Sequence, residues 1–194
     1  MSLAAIILAA GGSSRLGRPK QLLEYEGETL LNRAIRLARE AGASPVIAVL
    51  GSDYETIRAS LQDDTSIPID NQRWRQGMAS SIQEGMRALR LCAPDAAGVL
   101  LMGCDQPRLT VELLHALMAA FDASDKKAIV ASAYASAHGV PAVFPREKFA
   151  ELRALQGDKG ARSIVDQAQD SVVDVEFSGG DVDIDSPGDL AQLR

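Results

Sequence analysis

The sequence predicts an α/β fold: a three-layer, doubly wound, mostly parallel sheet with a small antiparallel insertion. Two observations carry this. Short apolar runs alternate with segments of helical periodicity along most of the 194 residues, and several runs are apolar without polar alternation, as strands buried on both faces are. Residues 1–194 are read as a single domain, since a chain of this length buries about 70% of its unfolded surface around one core.

The elements follow in order. Ala4–Ala10 is a buried strand that stops at Gly11-Gly12. Thr29–Ala41 is a helix with Leu30, Leu31, Ala34, Ile35 and Ala38 on one face, ended by Gly42. Pro45–Leu50 is a strand, and Asp53–Leu61 a helix with Asp53 as its N-cap. Ile67–Ile69 is a short strand, and Met78, Ile82, Met86 and Leu89 line one helix face. Gly98–Gly103 is a strand, Val111–Phe121 a helix and Ala128–Ala133 a strand. The rhythm then loosens into a strand near Val140–Phe144, helices near Arg146–Leu155 and Ala161–Ala168, strands at Ser171–Phe177 and Val182–Ile184, and a last helix from Pro187.

Composition excludes several classes of function. Twenty Lys and Arg against 26 Asp and Glu leave a net charge of −6, without the dominant basic face that nucleic-acid binding requires. Cys92 and Cys104 are too few for a disulfide framework and have no zinc spacing. The apolar opening run is far shorter than the ~20 residues of a membrane span and lacks the basic flank of a signal peptide. A cytoplasmic protein without a membrane or nucleic-acid partner is expected.

In such sheets ligands bind beyond the carboxyl ends of the strands. After the first strand comes Ala9-Ala10-Gly11-Gly12-Ser13-Ser14-Arg15-Leu16-Gly17-Arg18-Pro19-Lys20. Small residues there let backbone N–H groups approach phosphates, and three cations stand ready to neutralise them. It is neither a Walker A loop nor a G-x-G-x-x-G turn. Asp105, after Gly98–Gly103, is either a ligand for a hard cation such as Mg²⁺ or a turn residue before Thr110; Cys104 beside it is packing. Asp181, Asp183 and Asp185 alternate, so an extended segment would present all three on one face, as a solvated edge or as a second metal anchor. Gly77, Ser80 and Ser81 open a helix and offer donors, while Trp74 is either core or site. A further candidate segment spans His138-Gly139-Val140-Pro141 and the Gly157–Arg162 stretch with Asp158 and Lys159; the latter stretch is an anion site by type, or a turn between helices.

Together LAAGGSSRLGRPKQLL, N-x-x-W-x-x-GMASSI, DQP, HGVPAVF, GDKGAR and DIDSPGDL resemble the molybdenum cofactor cytidylyltransferase family, within the glycosyltransferase-A-like nucleotidyltransferases of Rossmann-like fold. Ala10 resembles the cytidylyl branch, where guanylyltransferases usually carry glycine. Gly12 and Gly103-Cys104 depart from the usual pattern. The resemblance implies Mg²⁺-dependent transfer of CMP from CTP to the phosphate of molybdopterin, releasing pyrophosphate. It implies Arg15, Lys20 and Asp105 as catalytic residues, with the nucleotide held by the Ala9–Lys20 loop, Gly77, Ser80, Ser81 and Asp105. Metal would be held by Asp105 with Asp183 or Asp185, and the acceptor by His138, Gly139, Pro141, Asp158, Lys159 and Arg162. A molybdoenzyme or its chaperone would receive the product. Two rivals remain. One is guanylyl transfer to the same cofactor, or nucleotidyl transfer to a sugar or polyol phosphate. The other is a non-catalytic module that binds nucleotide or molybdopterin for delivery.

Overall fold

The computed structural model describes residues 3–62, 66–134, 137–168 and 171–193. Strands β1 (Leu3–Ala9), β4 (Val46–Leu50), β5 (Ile67–Asp70), β6 (Gly98–Gly103), β7 (Ile129–Tyr134), β8 (Ala137–Pro145) and β9 (Val172–Glu176) form one sheet in the order β5-β4-β1-β6-β8-β7-β9. Every pairing is parallel except those of β8, which runs against both β6 and β7. The antiparallel part is thus a strand inside the main sheet, together with a separate ribbon of β2 (Glu24–Tyr25) and β3 (Glu28–Thr29). The sequence reading did not include that ribbon; its turn places Glu26 and Gly27 at positive φ.

Helices cover both faces, which is why β1 reads as a continuous apolar run. Ala5, Ile7 and Ala9 pack beneath α1 (Leu30–Glu40), α2 (Tyr54–Ala59) and α4 (Val111–Ala123). Ala4, Ile6 and Leu8 pack against α3 (Met78–Cys92), α5 (Phe149–Ala154) and α6 (Arg162–Ala168) on the opposite face. Thr29 caps α1 by accepting from the Asn32 N–H, and Thr110 caps α4 by accepting from the Leu113 N–H. Among the described residues no helix is long and apolar enough to cross a membrane.

Two local expectations are corrected and a third is refined. Asp53 precedes α2 but does not cap it: its backbone is left-handed (φ 55°), and its carboxylate accepts from Ser52 Oγ at 2.8 Å. The backbone bond from Ser52 N–H to the Ala10 carbonyl ties this turn to the β1 loop instead. Val182–Ile184 is not a strand; it is irregular chain held by the Ile184 N–H on the Asp105 carbonyl and by the buried Ile184 side chain, which packs with Leu23 and Leu30. The terminal helix is a 3-10 helix over Pro187–Leu193, whose Leu190 and Leu193 join the same small cluster. In addition, Met78 lies on the expected face of α3 yet is 47% exposed, because it borders a cavity rather than the core.

Candidate active site

The parallel strands end along one edge of the sheet, and their following loops converge there. The loop after β1 turns tightly, with the Leu16 and Gly17 N–H groups on the Ser13 carbonyl. Ser13 Oγ accepts from the Lys20 N–H at 3.0 Å, closing the loop and returning Lys20 to the strand edge. Ser14 and Arg15 lie exposed at its tip.

Gln21, absent from the sequence reading, fixes the loop from below. Its Nε2 donates to the carbonyls of Ala9 (2.7 Å) and Gly11 (3.0 Å), and only 1% of the residue is exposed. Holding both carbonyls ties the start of the loop to the chain that follows Lys20. An uncharged polar residue directly before Leu22-Leu23 was the available signal.

Lys20 Nζ donates to Asp105 Oδ2 at 2.6 Å and to Asp185 Oδ1 at 2.7 Å, and Arg15 reaches Asp185 Oδ2 at 3.3 Å. Burial alone would lower the proton affinity of Lys20; the Asp105 and Asp185 carboxylates reverse this and hold it above the usual lysine range, so the ammonium is permanently charged. Asp105 is free for this contact because Thr110, not Asp105, caps α4. Gly103 leaves the space into which the Asp105 carboxylate folds. Burial, reinforced by Asp105 and Asp185, pushes the Asp183 carboxyl up to about 6, against the pull of Lys20 and a hydrogen bond with Gln106. Burial pushes the Cys104 thiol up to about 12, which fits its reading as packing rather than as a nucleophile. Asp183 and Asp185 both lie near Lys20 and Asp105, whereas Asp181 lines a separate cleft.

Beside this cluster lies a cavity of about 270 Å³ whose walls include Ala9, Ala10, Gly11, Lys20, Trp74, Met78, Ser81, Asp105 and Asp158. Trp74 packs against Gly12 and Gly51, with the Arg75 guanidinium 4.3 Å above its ring. Buried Asn71 donates to Ser80 Oγ (2.9 Å) and Ser81 Oγ (3.0 Å). Ser80 in turn donates within its own loop, to the Gly77 and Arg73 carbonyls, so its hydroxyl is committed there, whereas Ser81 lines the cavity.

The Gly157–Gly160 turn docks on the start of α3. The Ala79 N–H donates to the Gly157 carbonyl at 3.1 Å, which satisfies a helix N-terminal group that no side chain caps. Gly77 has φ 102°, and a Cβ there would strike the Gly157 carbonyl and the Asp158 carboxylate. Gly77→Ala is therefore expected to destabilise the protein by about 2–4 kcal/mol, through backbone strain and overpacking. Chemical denaturation checks this; an unchanged midpoint would show that the turn is not docked this way.

The other expected acceptor residues are dispersed. Asp158 faces the cavity, while Lys159 lines a different hollow with Glu151 and Gln167. Arg162 lies near Tyr134 and within 3.7 Å of Asp166. His138 pairs with Asp174 at 2.8 Å in the cleft that Asp181 lines. Gly139 lies against Tyr134, and the buried Pro141 gives its carbonyl to Ser132 Oγ. Tyr134, not named from the sequence, ends β7 on the same edge of the sheet.

Residues 5–172 match the family model described as the MobA-like NTP transferase domain. The chain belongs to this family. As a MobA-like domain it is a nucleotidyltransferase, and its sheet with flanking helices is the fold of that superfamily. It is 27% identical to the purine catabolism protein PucB of Bacillus subtilis, over 99% of this chain and 96% of that protein. It is 31% identical to nicotine blue oxidoreductase of Paenarthrobacter nicotinovorans, over 92% and 90%. A probable molybdenum cofactor guanylyltransferase of Opitutus terrae is 32% identical over 56% of this chain and 50% of its own length. Among solved structures, Rv0371c of Mycobacterium tuberculosis superposes with a TM-score of 0.86 at 31% identity, covering 100% of this chain and 97% of that one. A manganese complex of the same protein gives a TM-score of 0.81 with the same identity and coverage.

Proposed function

We propose that this MobA-like domain transfers CMP from CTP to the phosphate of molybdopterin, releasing pyrophosphate. The observation that carries the reading is the Lys20 ammonium, seated between Asp105 and Asp185 at the mouth of a cavity beneath an open glycine loop. The cavity has room for a base and part of its sugar, with the triphosphate running over the Gly11–Gly17 backbone. Lys20 and Arg15 provide positive charge where it accumulates on the leaving pyrophosphate. The acceptor phosphate oxygen attacks the α-phosphorus as the bond to pyrophosphate breaks, so no side-chain nucleophile is needed.

The carboxylates fit a divalent cation. Asp105 and Asp183 are hard oxygen donors, and burial with mutual repulsion already raises the proton affinity of Asp183. Among the described residues no group of three His, Cys, Asp or Glu side chains is arranged to hold a metal by itself, and Lys20 engages both Asp105 and Asp185. Asp105, with Asp183 or Asp185, would hold the ion together with phosphate oxygens. Bound there, Mg²⁺ or Mn²⁺ would neutralise triphosphate charge; the manganese complex of Rv0371c supports a divalent requirement.

Guanylyl transfer is the second reading, favoured by the Opitutus relative. Ala9 and Ala10 present no polar side chain to the base, so base selection falls to backbone groups, Ser81 and Asp158. A thermal-shift series with CTP, GTP, ATP and UTP, each with and without Mg²⁺, separates the two. CTP with Mg²⁺ at 100 times its Kd is expected to add about 2.7 kcal/mol, a shift of several degrees. Pyrophosphate release with molybdopterin then tests transfer. A GTP preference would overturn the cytidylyl assignment, and binding without pyrophosphate release would overturn catalysis.

A further inference from the structure

A hollow of about 280 Å³ lies at the edge of the sheet opposite the nucleotide cavity, where β6 begins and the antiparallel β8 ends with Gly98 facing Pro145. Its floor is apolar. Met86 and Leu89 of α3, each 1% exposed, meet Phe149 and Ala150 of α5 and Ala93 of the loop before β6. The same helix serves both edges: α3 carries Met78 and Ser81 into the nucleotide cavity and Arg90 into the hollow. At 1.5 Å of rise per residue, Ser81 and Arg90 are separated by about 13 Å along the helix axis.

Three guanidiniums rim this floor. Arg146 is fixed there, because its N–H donates to the Ala97 carbonyl and its Nη1 to the Ala96 carbonyl, both at 3.0 Å. Arg90 and Arg153 make no hydrogen bond or ion pair among the described residues. Glu147 also lines the hollow, yet forms no ion pair with any of the three. Neighbouring cations do find partners, Arg87 on Glu84 and Lys148 on Glu151. Arg90 and Arg153 each stand in the last turn of a helix, where positive charge meets the carbonyl end of the dipole. That accounts for one charge per helix. It does not account for three converging on one apolar hollow in a chain whose net charge is −6.

Like charges around one hollow repel, and an anion between them relieves the repulsion. Each guanidinium presents a planar fork matched to a carboxylate or a phosphate. The floor beneath takes the apolar group that such an anion carries, and the Phe149 ring suits a flat one. With liquid water occupying about 30 Å³ per molecule, the hollow holds about ten non-hydrogen atoms, too few for a nucleotide.

We propose that this hollow is a second ligand site, for a small organic anion: a carboxylate or phosphate monoester on a compact apolar or aromatic body. Arg90, Arg146 and Arg153 hold the anion, while Met86, Leu89 and Phe149 hold the body. No residue assigned to nucleotidyl transfer takes part, so the site stands or falls apart from that reading.

Benzoate and phenyl phosphate are the probes, with inorganic phosphate as the charge-only control and benzyl alcohol as the ring-only control. Each is titrated calorimetrically into the wild type, the double variant Arg90→Gln/Arg153→Gln, and Lys20→Met. One probe or both should bind the wild type and Lys20→Met alike. The arginine double variant should bind roughly tenfold more weakly or worse, since it loses two charge-assisted forks. Both controls should bind the wild type roughly tenfold more weakly than the better probe, because each lacks half of what is recognised. Arg90 and Arg153 are exposed and without partners among the described residues, so the double variant keeps the wild-type denaturation midpoint. Tighter benzoate identifies a carboxylate ligand, and tighter phenyl phosphate a phosphate monoester. Absence of saturable binding by both probes, or equal affinity in the arginine double variant, overturns the inference. Inorganic phosphate binding as tightly as phenyl phosphate also overturns it, since the floor would then play no part. Loss of binding in Lys20→Met overturns it too, by placing the anion on the glycine loop.

Discussion

Lys20→Met is expected to lower nucleotidyl transfer by about 10²–10³-fold with the fold intact, because it removes a charged donor from a site arranged to stabilise developing negative charge. The lysine side chain is only 16% exposed and is shared by two carboxylates. Removing it leaves those carboxylates facing each other, but Asp185 is 42% exposed and can recover water, so the loss falls on chemistry more than on folding. Lys20→Arg should not restore the rate, since a planar fork cannot replace a compact ammonium between two carboxylates. Steady-state rates with circular dichroism check this; wild-type turnover in Lys20→Met would remove the residue from the mechanism.

Asp105→Asn should reduce metal-dependent turnover further, by about 10³-fold or more, since it removes a charge that meets Lys20 and that the proposed mechanism also gives to the divalent cation. The substitution is nearly isosteric, and the backbone carbonyl of residue 105 still receives the Ile184 N–H. Circular dichroism should therefore match the wild type, while Mn²⁺ binding followed by electron paramagnetic resonance weakens. An unfolded variant would make Asp105 structural, and retained Mn²⁺ binding would move the metal elsewhere.

The fold was legible where burial leaves its mark on composition. Gly98–Gly103 is named as a strand with the bounds it has in the structure, because a strand covered on both faces has no place for polar residues. The β2–β3 ribbon was not legible: two residues a side, on the surface, leave neither a period nor an apolar run. Val182–Ile184 misled because alternating Asp and apolar residues read as a strand, whereas one buried side chain, Ile184, fixes that chain without any ladder. In the site, charge marked Lys20 and Asp105 as candidates, and the structure brings them to 2.6 Å. The tasks of Gln21 and Ser80, and the seat of Tyr134, depend on which groups surround them. A glutamine that grips two carbonyls and a tyrosine set between Gly139 and Gly180 are relations between distant segments, which spacing along one segment does not encode.

The contact between Lys20 and Asp185 spans 165 positions of the chain. All seven strands of the main sheet are complete at Glu176, so a nascent chain can assemble its hydrophobic layers before Asp185 exists. The charge cluster closes only when the segment carrying Ile184, Leu190 and Leu193 settles onto Leu23 and Leu30. The contact is thus among the last to become available as the chain is made: a polypeptide halted after its last strand would carry every strand of the sheet and still lack the carboxylate that meets Lys20.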